Sequence, residues 1–231
     1  MKDIRSILRN ARNKSRYKRW AANIIDSYLP DKSGIRVLDV GCGKNIISTK
    51  PYVLGCDFYP SLRNVVGAAA DNLPFRNDTF DIVVSAHCLE HSTNVKKVIA
   101  EWARIVKENG CLWLILPHVD RTFDKKRELT TTEHILNDYE YDVSDDDRTH
   151  WQEFRDKTLL SGHRAIPNQY IIQAERNAFE FFSNQKLIHH HVWNTETFCD
   201  LAECLGFRVL MSVDEVPGRS DSFSVVVRKA L

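Results

Sequence analysis

The sequence predicts one α/β domain on a mostly parallel sheet, and three observations carry that reading. Apolar runs at Val37–Val40, Val53–Asp57, Phe80–Val84 and Cys111–Leu116 lack polar alternation, as strands covered on both faces do. A helix-period pattern from Ser92 to Asn109 lies between the last two, and another opens at Asn194. Phe207–Val213 and Ser222–Lys229 then read as strands joined by the turn Pro217-Gly218-Arg219-Ser220, an antiparallel close to a parallel sheet.

The bounds are those of an ordinary globular chain. Its 231 residues are 43% hydrophobic and 27% charged, enough for one good core with an elaboration. The expected organisation is a single domain over 1–231, with basic N-terminal helices over 1–30 and an insertion over 118–193. No apolar run approaches the ~20 residues that span a membrane, and the charged N-terminus lacks the apolar core of a secretory signal. Cys42, Cys56, Cys88, Cys111, Cys199 and Cys204 form no CxxC pair, so free thiols in a reducing cytoplasm are expected.

The net charge of +1 hides an asymmetry. Within residues 1–20, Lys2, Arg5, Arg9, Arg12, Lys14, Arg16, Lys18 and Arg19 face Asp3 alone. Ile4, Ile7, Leu8 and Ala11 recur at helical spacing and predict a short basic amphipathic helix. A second helix follows through Trp20, Ala21, Ile24, Ile25 and Tyr28 and ends before Pro30. Packing against the domain is the plain reading. Contact with an anionic membrane surface, on the cytoplasmic side, is the functional one.

The centre of the chain is Val37-Leu38-Asp39-Val40-Gly41-Cys42-Gly43, a buried strand running into a glycine turn that lets a ligand approach the backbone. Asp57 closes the second strand, where a carboxylate can accept both hydroxyls of a ribose. Asp71 precedes Asn72-Leu73-Pro74-Phe75, where it can accept from an adenine amino group beside the Asn72 and Leu73 backbone. A nicotinamide-dinucleotide site would want a third glycine at residue 46, which is Ile46.

With Phe80-Asp81-Ile82-Val83-Val84 and Leu89-Glu90-His91, these segments resemble the class I S-adenosylmethionine-dependent methyltransferases over about residues 35–117 and again from 194. The resemblance implies a Rossmann-like, mostly parallel seven-stranded sheet with its last strand antiparallel. It implies S-adenosylmethionine as cofactor, held by Asp39, Gly41, Cys42, Gly43, Asp57, Phe58, Asp71, Asn72, Leu73 and His87. The segments Asp120-Arg121-Thr122-Phe123-Asp124, Thr131-Thr132-Glu133-His134 and His189-His190-His191-Val192-Trp193 are similar to bacterial members linked with cell-surface polysaccharide synthesis. That similarity implies a glycan or glycolipid hydroxyl as acceptor.

Equal gaps of 14 residues separate Gly43 from Asp57 and Asp57 from Asp71, leaving room for one or two helical turns before each next strand. One face of the sheet is therefore expected to be thinly covered unless the N-terminal helices or a loop supply the cover. Gly110 is expected to stop the helix that begins at Ser92. Residues 118–193 delay the next helix, with helical pieces around 131–139, 150–160 and 168–183, and are expected to form a substrate-selective lid.

For a hydroxyl acceptor a histidine base suits neutral pH. His91, His118, His189 and His191 are the candidates, with the lid residues His189 and His191 favoured because a lid can close onto the acceptor. In an extended chain His189 and His191 share a face and could be half of a metal site, but spacing shows no partner set, so no metal is assigned. Asp142, Asp145, Asp146 and Asp147 fail as a calcium loop because the sixth position is Asp147 and not glycine. The expected function is methyl transfer to oxygen of a small-molecule or glycan-like acceptor. The alternatives are a silent cofactor-binding regulator and an RNA methyltransferase using the basic N-terminus; no DNA partner is expected. The Asn/Asp-Pro-Pro-aromatic signature of amino-group methylases is absent where this chain reads Ser85-Ala86-His87-Cys88.

Overall fold

A computed structural model of the chain describes residues 4–29, 32–60, 65–163 and 165–230, with side chains from residue 12 onward. Seven strands form one sheet: β1 (Val37–Val40), β2 (Val53–Asp57), β3 (Val65–Gly67), β4 (Phe80–Ala86), β5 (Val106–Pro117), β6 (Phe207–Val213) and β7 (Ser222–Lys229). Their order is β3-β2-β1-β4-β5-β7-β6, with β7 antiparallel to both neighbours and every other pairing parallel. The seven-stranded, mostly parallel sheet read from the sequence is therefore the sheet observed. The central strand β1 pairs β2 on one side and β4 on the other. Strand order reverses there, so a crevice opens at the carboxyl ends of these strands.

The two faces of the sheet are filled by alternate residues of the same strands. Leu38, Val40, Val83, Leu112, Leu114, Val225 and Val227 face one core, shared with α2 (Val95–Ile105) and α7 (Thr195–Cys204). Val37, Ile82, Val84, Cys111, Trp113, Ile115 and Val226 face the other, where Ala21, Ile24 and Ile25 of α1 (Ile4–Tyr28) pack. Trp20 stands edge-on to Trp113 at 5.4 Å. This second face is the one left bare by the short crossovers. Residues 41–52 form turns without a helix, so even the expected one or two helical turns are missing there. The N-terminal helix supplies the cover.

Two expectations need correction. The N-terminal pair of helices is one continuous 25-residue helix, because no glycine or proline interrupts Ile4–Tyr28. The side chains of Ile4, Ile7, Leu8 and Ala11 lie outside the described residues. Secondly, Gly110 does not stop α2: the helix ends at Ile105 and β5 begins at Val106. The ladder with β4 slips between Phe80↔Val106 and Ile82↔Cys111, absorbing the extra residues as a bulge. Gly110 lies in that bulge, where a Cβ would stand 2.6 Å from the Asp81 carbonyl oxygen.

Asn194 caps α7 as the sequence suggested, accepting from the Thr197 N–H while the Thr197 hydroxyl receives the Asn194 N–H. The insertion contains α3 (Thr132–Glu140), α4 (Thr149–Glu153), a π turn over Phe154–Thr158, α5 (Asn168–Glu175) and α6 (Phe179–Asn184). It has a hydrophobic cluster of its own, built on Trp151, Phe154, Leu159, Phe179, Phe182 and Ile188. Ile135 of α3 instead joins the main core. Among the described residues no helix is long and apolar enough to cross a membrane.

The cover supplied by α1 gives a test. Ile25 is 1% exposed, so Ile25→Ala is expected to cost about 2–5 kcal/mol in urea unfolding. Arg12→Ala, on the exposed face of the same helix, should stay within about 0.5 kcal/mol. Equal, small effects from both would mean that α1 does not belong to the core.

Candidate active site

The crevice at the strand ends holds a cavity of ≈ 500 Å³. That volume suits a nucleoside-sized ligand. At the end of β1, Gly41 has φ +71°, and its N–H donates to the Cys56 carbonyl at 2.8 Å. A Cβ on Gly41 would fall 2.4 Å from Cys88 Sγ, so glycine is required both by conformation and by space. Gly43, φ +54°, donates its N–H to Asp57 Oδ2 at 2.7 Å, and Asp57 Oδ1 accepts the Tyr59 N–H at 2.9 Å. One carboxylate thus ties the glycine turn of β1 to the turn after β2.

Of the cofactor residues expected from sequence, Gly41, Asp57, Phe58, Asp71 and His87 line this cavity. Asp39, Cys42, Gly43, Asn72 and Leu73 are not among its lining residues. Asp39 is buried and accepts the Ile47 N–H at 2.6 Å, fastening the loop after the glycine turn. Burial pushes its carboxyl up to about 7, against the Ile47 hydrogen bond. Leu73 is a core side chain whose N–H donates to Glu101 Oε1, and the Asn72 N–H closes a turn onto Ala69. Asp71 lies 3.5 Å from Lys97 Nζ across the cavity mouth.

The insertion supplies the opposite wall. Asp142 to Asp145, Gln185 and Lys186 face the strand ends. The Tyr59 hydroxyl donates to the Asn184 carbonyl at 2.5 Å, Lys186 lies over the Phe58 ring, and Lys186 pairs with Asp145. The acidic loop that failed as a calcium site is thus part of the cavity.

The four candidate bases separate cleanly. His91 alone lines the cavity. Its Nδ1 lies 3.0 Å from the Ile188 carbonyl, which can only accept, so the neutral ring carries its proton on Nδ1 and leaves Nε2 as the basic nitrogen. Burial pushes its pKa down to about 3, so the ring is neutral at working pH. His118 stands outside the cavity, its Nδ1 accepting the Asp120 N–H and its Nε2 3.6 Å from Asp214. His189 stands behind His91 with ring centroids 4.7 Å apart. His191 is fully buried and turned to a different group, so the two lid histidines do not face one point here.

His189 has the carboxylate partner that sequence could not assign: Nδ1 donates to Asp124 Oδ2 at 2.6 Å. Burial pushes Asp124 up, but His189, Arg127 and the Thr158 hydroxyl outweigh it and hold the carboxyl below its ordinary value. Arg127, wholly buried, donates to the carbonyls of His189 and His190 at 2.6 and 2.9 Å and fixes this segment. Between His91 and His87 lies Glu90, fully buried, with neither carboxyl oxygen hydrogen-bonded. Its Oε1 is 3.5 Å from His87 Nδ1 and 3.9 Å from His91 Nε2, and burial raises its pKa to about 7. His87 itself sits at φ +54°, with Nε2 2.8 Å from the Ser222 hydroxyl, and burial lowers its pKa. Glu90, Asp124 and Arg127 were missed because their partners lie far along the chain or face a wall that only the fold creates. The one signal was the adjacency of Glu90 and His91.

A sheet of this order with a nucleoside-sized crevice at the switch point defines the class I methyltransferase fold. Residues 38–114, which run from β1 into β5, match the family described as "Methyltransferase domain". Among curated relatives, an uncharacterized methyltransferase (YcgJ) of Bacillus subtilis is 29% identical over 100 residues, covering 35% of this chain and 40% of the relative. The ubiquinone/menaquinone biosynthesis C-methyltransferase UbiE of Vibrio vulnificus is 31% identical over 117 residues, covering 40% and 45%. The chain spans less than half the length of these relatives. A 1,6-didemethyltoxoflavin-N1-methyltransferase from Burkholderia thailandensis, solved with bound 1,6-didemethyltoxoflavin and S-adenosylhomocysteine, shares the fold with TM-score 0.56 and 12% identity over 98% of this chain and 88% of that one. A methyltransferase from Mesorhizobium loti gives 0.53 and 15% over 91% and 98%.

Glu90 makes stability depend on pH with a fixed sign. From its ordinary 4.5 up to about 7, the unfolded chain has released this proton while the folded chain still holds it. Stability from this group is therefore present at acid pH and lost as pH rises through that window. Glu90→Gln should gain stability relative to wild type as pH goes from about 4.5 to about 7, read by chemical unfolding at each pH. A difference that stays flat with pH would show that Glu90 ionises normally.

Proposed function

We propose that this chain transfers a methyl group from S-adenosylmethionine to a hydroxyl oxygen of a small-molecule or glycan-like acceptor, with His91 taking the hydroxyl proton. The observation that carries the proposal is the tautomer of His91. Its Nδ1–H is committed to the Ile188 carbonyl, and it is the one candidate base at the cavity wall, so Nε2 is available to a bound acceptor. The cofactor supplies an electrophilic methyl on a sulfonium, whose neutral thioether departs.

The residues supply position, dryness and a proton acceptor. Asp57 presents carboxylate oxygens suited to ribose hydroxyls, and Asp71 a carboxylate suited to an adenine amino group. The segment Asp142 to Asp145 and Lys186 closes over the strand ends and sheds water from the reacting groups. As the acceptor oxygen bonds to the methyl carbon, its proton passes to His91 Nε2. Glu90, 3.9 Å from that nitrogen, stabilises the imidazolium once its own carboxyl is ionised. His189, held by Asp124, packs behind His91 and fixes its ring.

Two measurements test this. Asp57→Ala should weaken S-adenosylhomocysteine binding in calorimetry by about 1–3 kcal/mol, the range for a hydrogen bond to a charged group. Unchanged affinity would remove Asp57 from the cofactor site. In a mass-spectrometric screen of hydroxylated small molecules and glycans, wild type should yield a singly methylated product. His91→Gln should keep cofactor affinity and lose about 10² to 10⁴ in turnover. Wild-type turnover should rise as pH passes about 7 and Glu90 ionises, and Glu90→Gln should lose that limb. Full turnover in His91→Gln would end the base assignment. Cofactor binding without any methylated product across the screen would favour a regulatory protein.

A further inference from the structure

Behind the lid wall, four side chains from three parts of the insertion converge on one point: His134, Asp138, His150 and His191. His134 and Asp138 lie one turn apart on α3, His150 is on α4, and His191 is on the extended segment before α7. Their ligand atoms all lie within 4.8 Å of one another. His134 Nε2 is 2.9 Å from His150 Nε2. Asp138 Oδ2 stands 3.3, 3.4 and 3.5 Å from the Nε2 atoms of His134, His150 and His191. A tetrahedral zinc ion with bonds of about 2.0–2.1 Å sets its ligand atoms about 3.3–3.4 Å apart; the three Asp138 distances match that spacing, and the His134–His150 pair at 2.9 Å would open slightly around an ion.

A second observation points to a cation. Asp138 is 6% exposed, and its Oδ2 accepts no hydrogen bond although it faces three imidazole nitrogens. A buried carboxylate oxygen left so carries a desolvation cost that a bound cation removes. Outside this group, His150 Nδ1 stands 3.4 Å from Asp147 Oδ1 without a hydrogen bond, so a carboxylate is near the far side of that ring but does not yet hold it. His191 Nε2 also lies 3.3 Å from the Thr93 carbonyl, the contact that it would give up.

We infer that His134, Asp138, His150 and His191 bind a zinc-class divalent ion that clamps the lid. Three imidazoles and one carboxylate suit Zn²⁺ over Ca²⁺ or Mg²⁺, which take oxygen shells. Four protein ligands leave no open position, so the site is structural. Its place in the chain gives it a use: ligands Asp138 and His150 bracket the loop whose residues Asp142 to Asp145 line the cavity. Metal at this point fixes both ends of that loop and ties it to the segment that carries His189. The other histidine–carboxylate group among the described residues, Glu90, His91 and His189, reaches the cavity through His91 and takes no part.

The test uses the full chain, freed of any polyhistidine tag and stripped with chelator. Equilibrium dialysis against Zn²⁺ with elemental analysis should give one equivalent per chain, and Co²⁺ should give the intense visible bands of a tetrahedral site. Hydrogen exchange in 141–148 should slow when Zn²⁺ is added. Asp138→Asn should lose the equivalent, whereas His91→Gln should keep it. If Asp138→Asn fails to fold by circular dichroism, His134→Gln decides, because that half-exposed rim ligand can change without disturbing the core. It should weaken Zn²⁺ binding at least about tenfold. The inference is overturned if the folded wild type binds no zinc, if the ligand variants retain wild-type affinity, or if His91→Gln loses the ion.

Discussion

The absence of a side chain at Gly41 lets two halves of this sheet meet. With a Cβ there, Cys88 Sγ would be 2.4 Å away, and the ends of β1 and β4 would be forced apart. The crevice exists because β1 is flanked by β2 and β4 in register, and their carboxyl ends must close to within side-chain contact. The Asp57 carboxylate completes the arrangement by holding Gly43 and Tyr59 from one side chain. Each later feature, from the lid contact of Tyr59 to the seat of His91, is built on that closed junction.

Shortened crossovers have a structural cost, and the chain meets it from its own ends. Because residues 41–52 form no helix, Val37, Ile82, Val84 and Trp113 would face water without α1. Burying apolar surface at about 25 cal/mol per Å² makes that cover a sizeable term. On the other side of the crevice, the insertion stands on its own aromatic cluster. Its polar interior is unusual. Arg127, Asp124 and the histidines of 189–191 are buried there, joined by the Arg127 bonds to the His189 and His190 carbonyls and by the His189–Asp124 pair.

Legibility followed the range of the interactions. Every strand but β3, the Asn194 cap and the terminal hairpin were readable because their causes are local: apolar period, capping chemistry and turn residues. The continuous α1 was read as two helices from its two apolar stripes, though no glycine or proline stands between them. The start of β5 was misplaced because Gly110 is needed for close approach to the Asp81 carbonyl, and that need cannot be seen without the sheet. At the site, residues next to glycines and strand ends were found. Partners 65 residues apart, such as Asp124 and His189, were not. The same limit hid Asp138 and His150 as companions of His191.

The account rests most heavily on the crevice at the β1–β4 switch point being the cofactor site. A crystal structure of the chain with S-adenosylhomocysteine tests that most directly. The account predicts the nucleoside in this crevice, with Asp57 accepting from its ribose and Asp71 beside its base. Ligand bound elsewhere on the chain, or a crevice that takes up a nicotinamide dinucleotide instead, would contradict it.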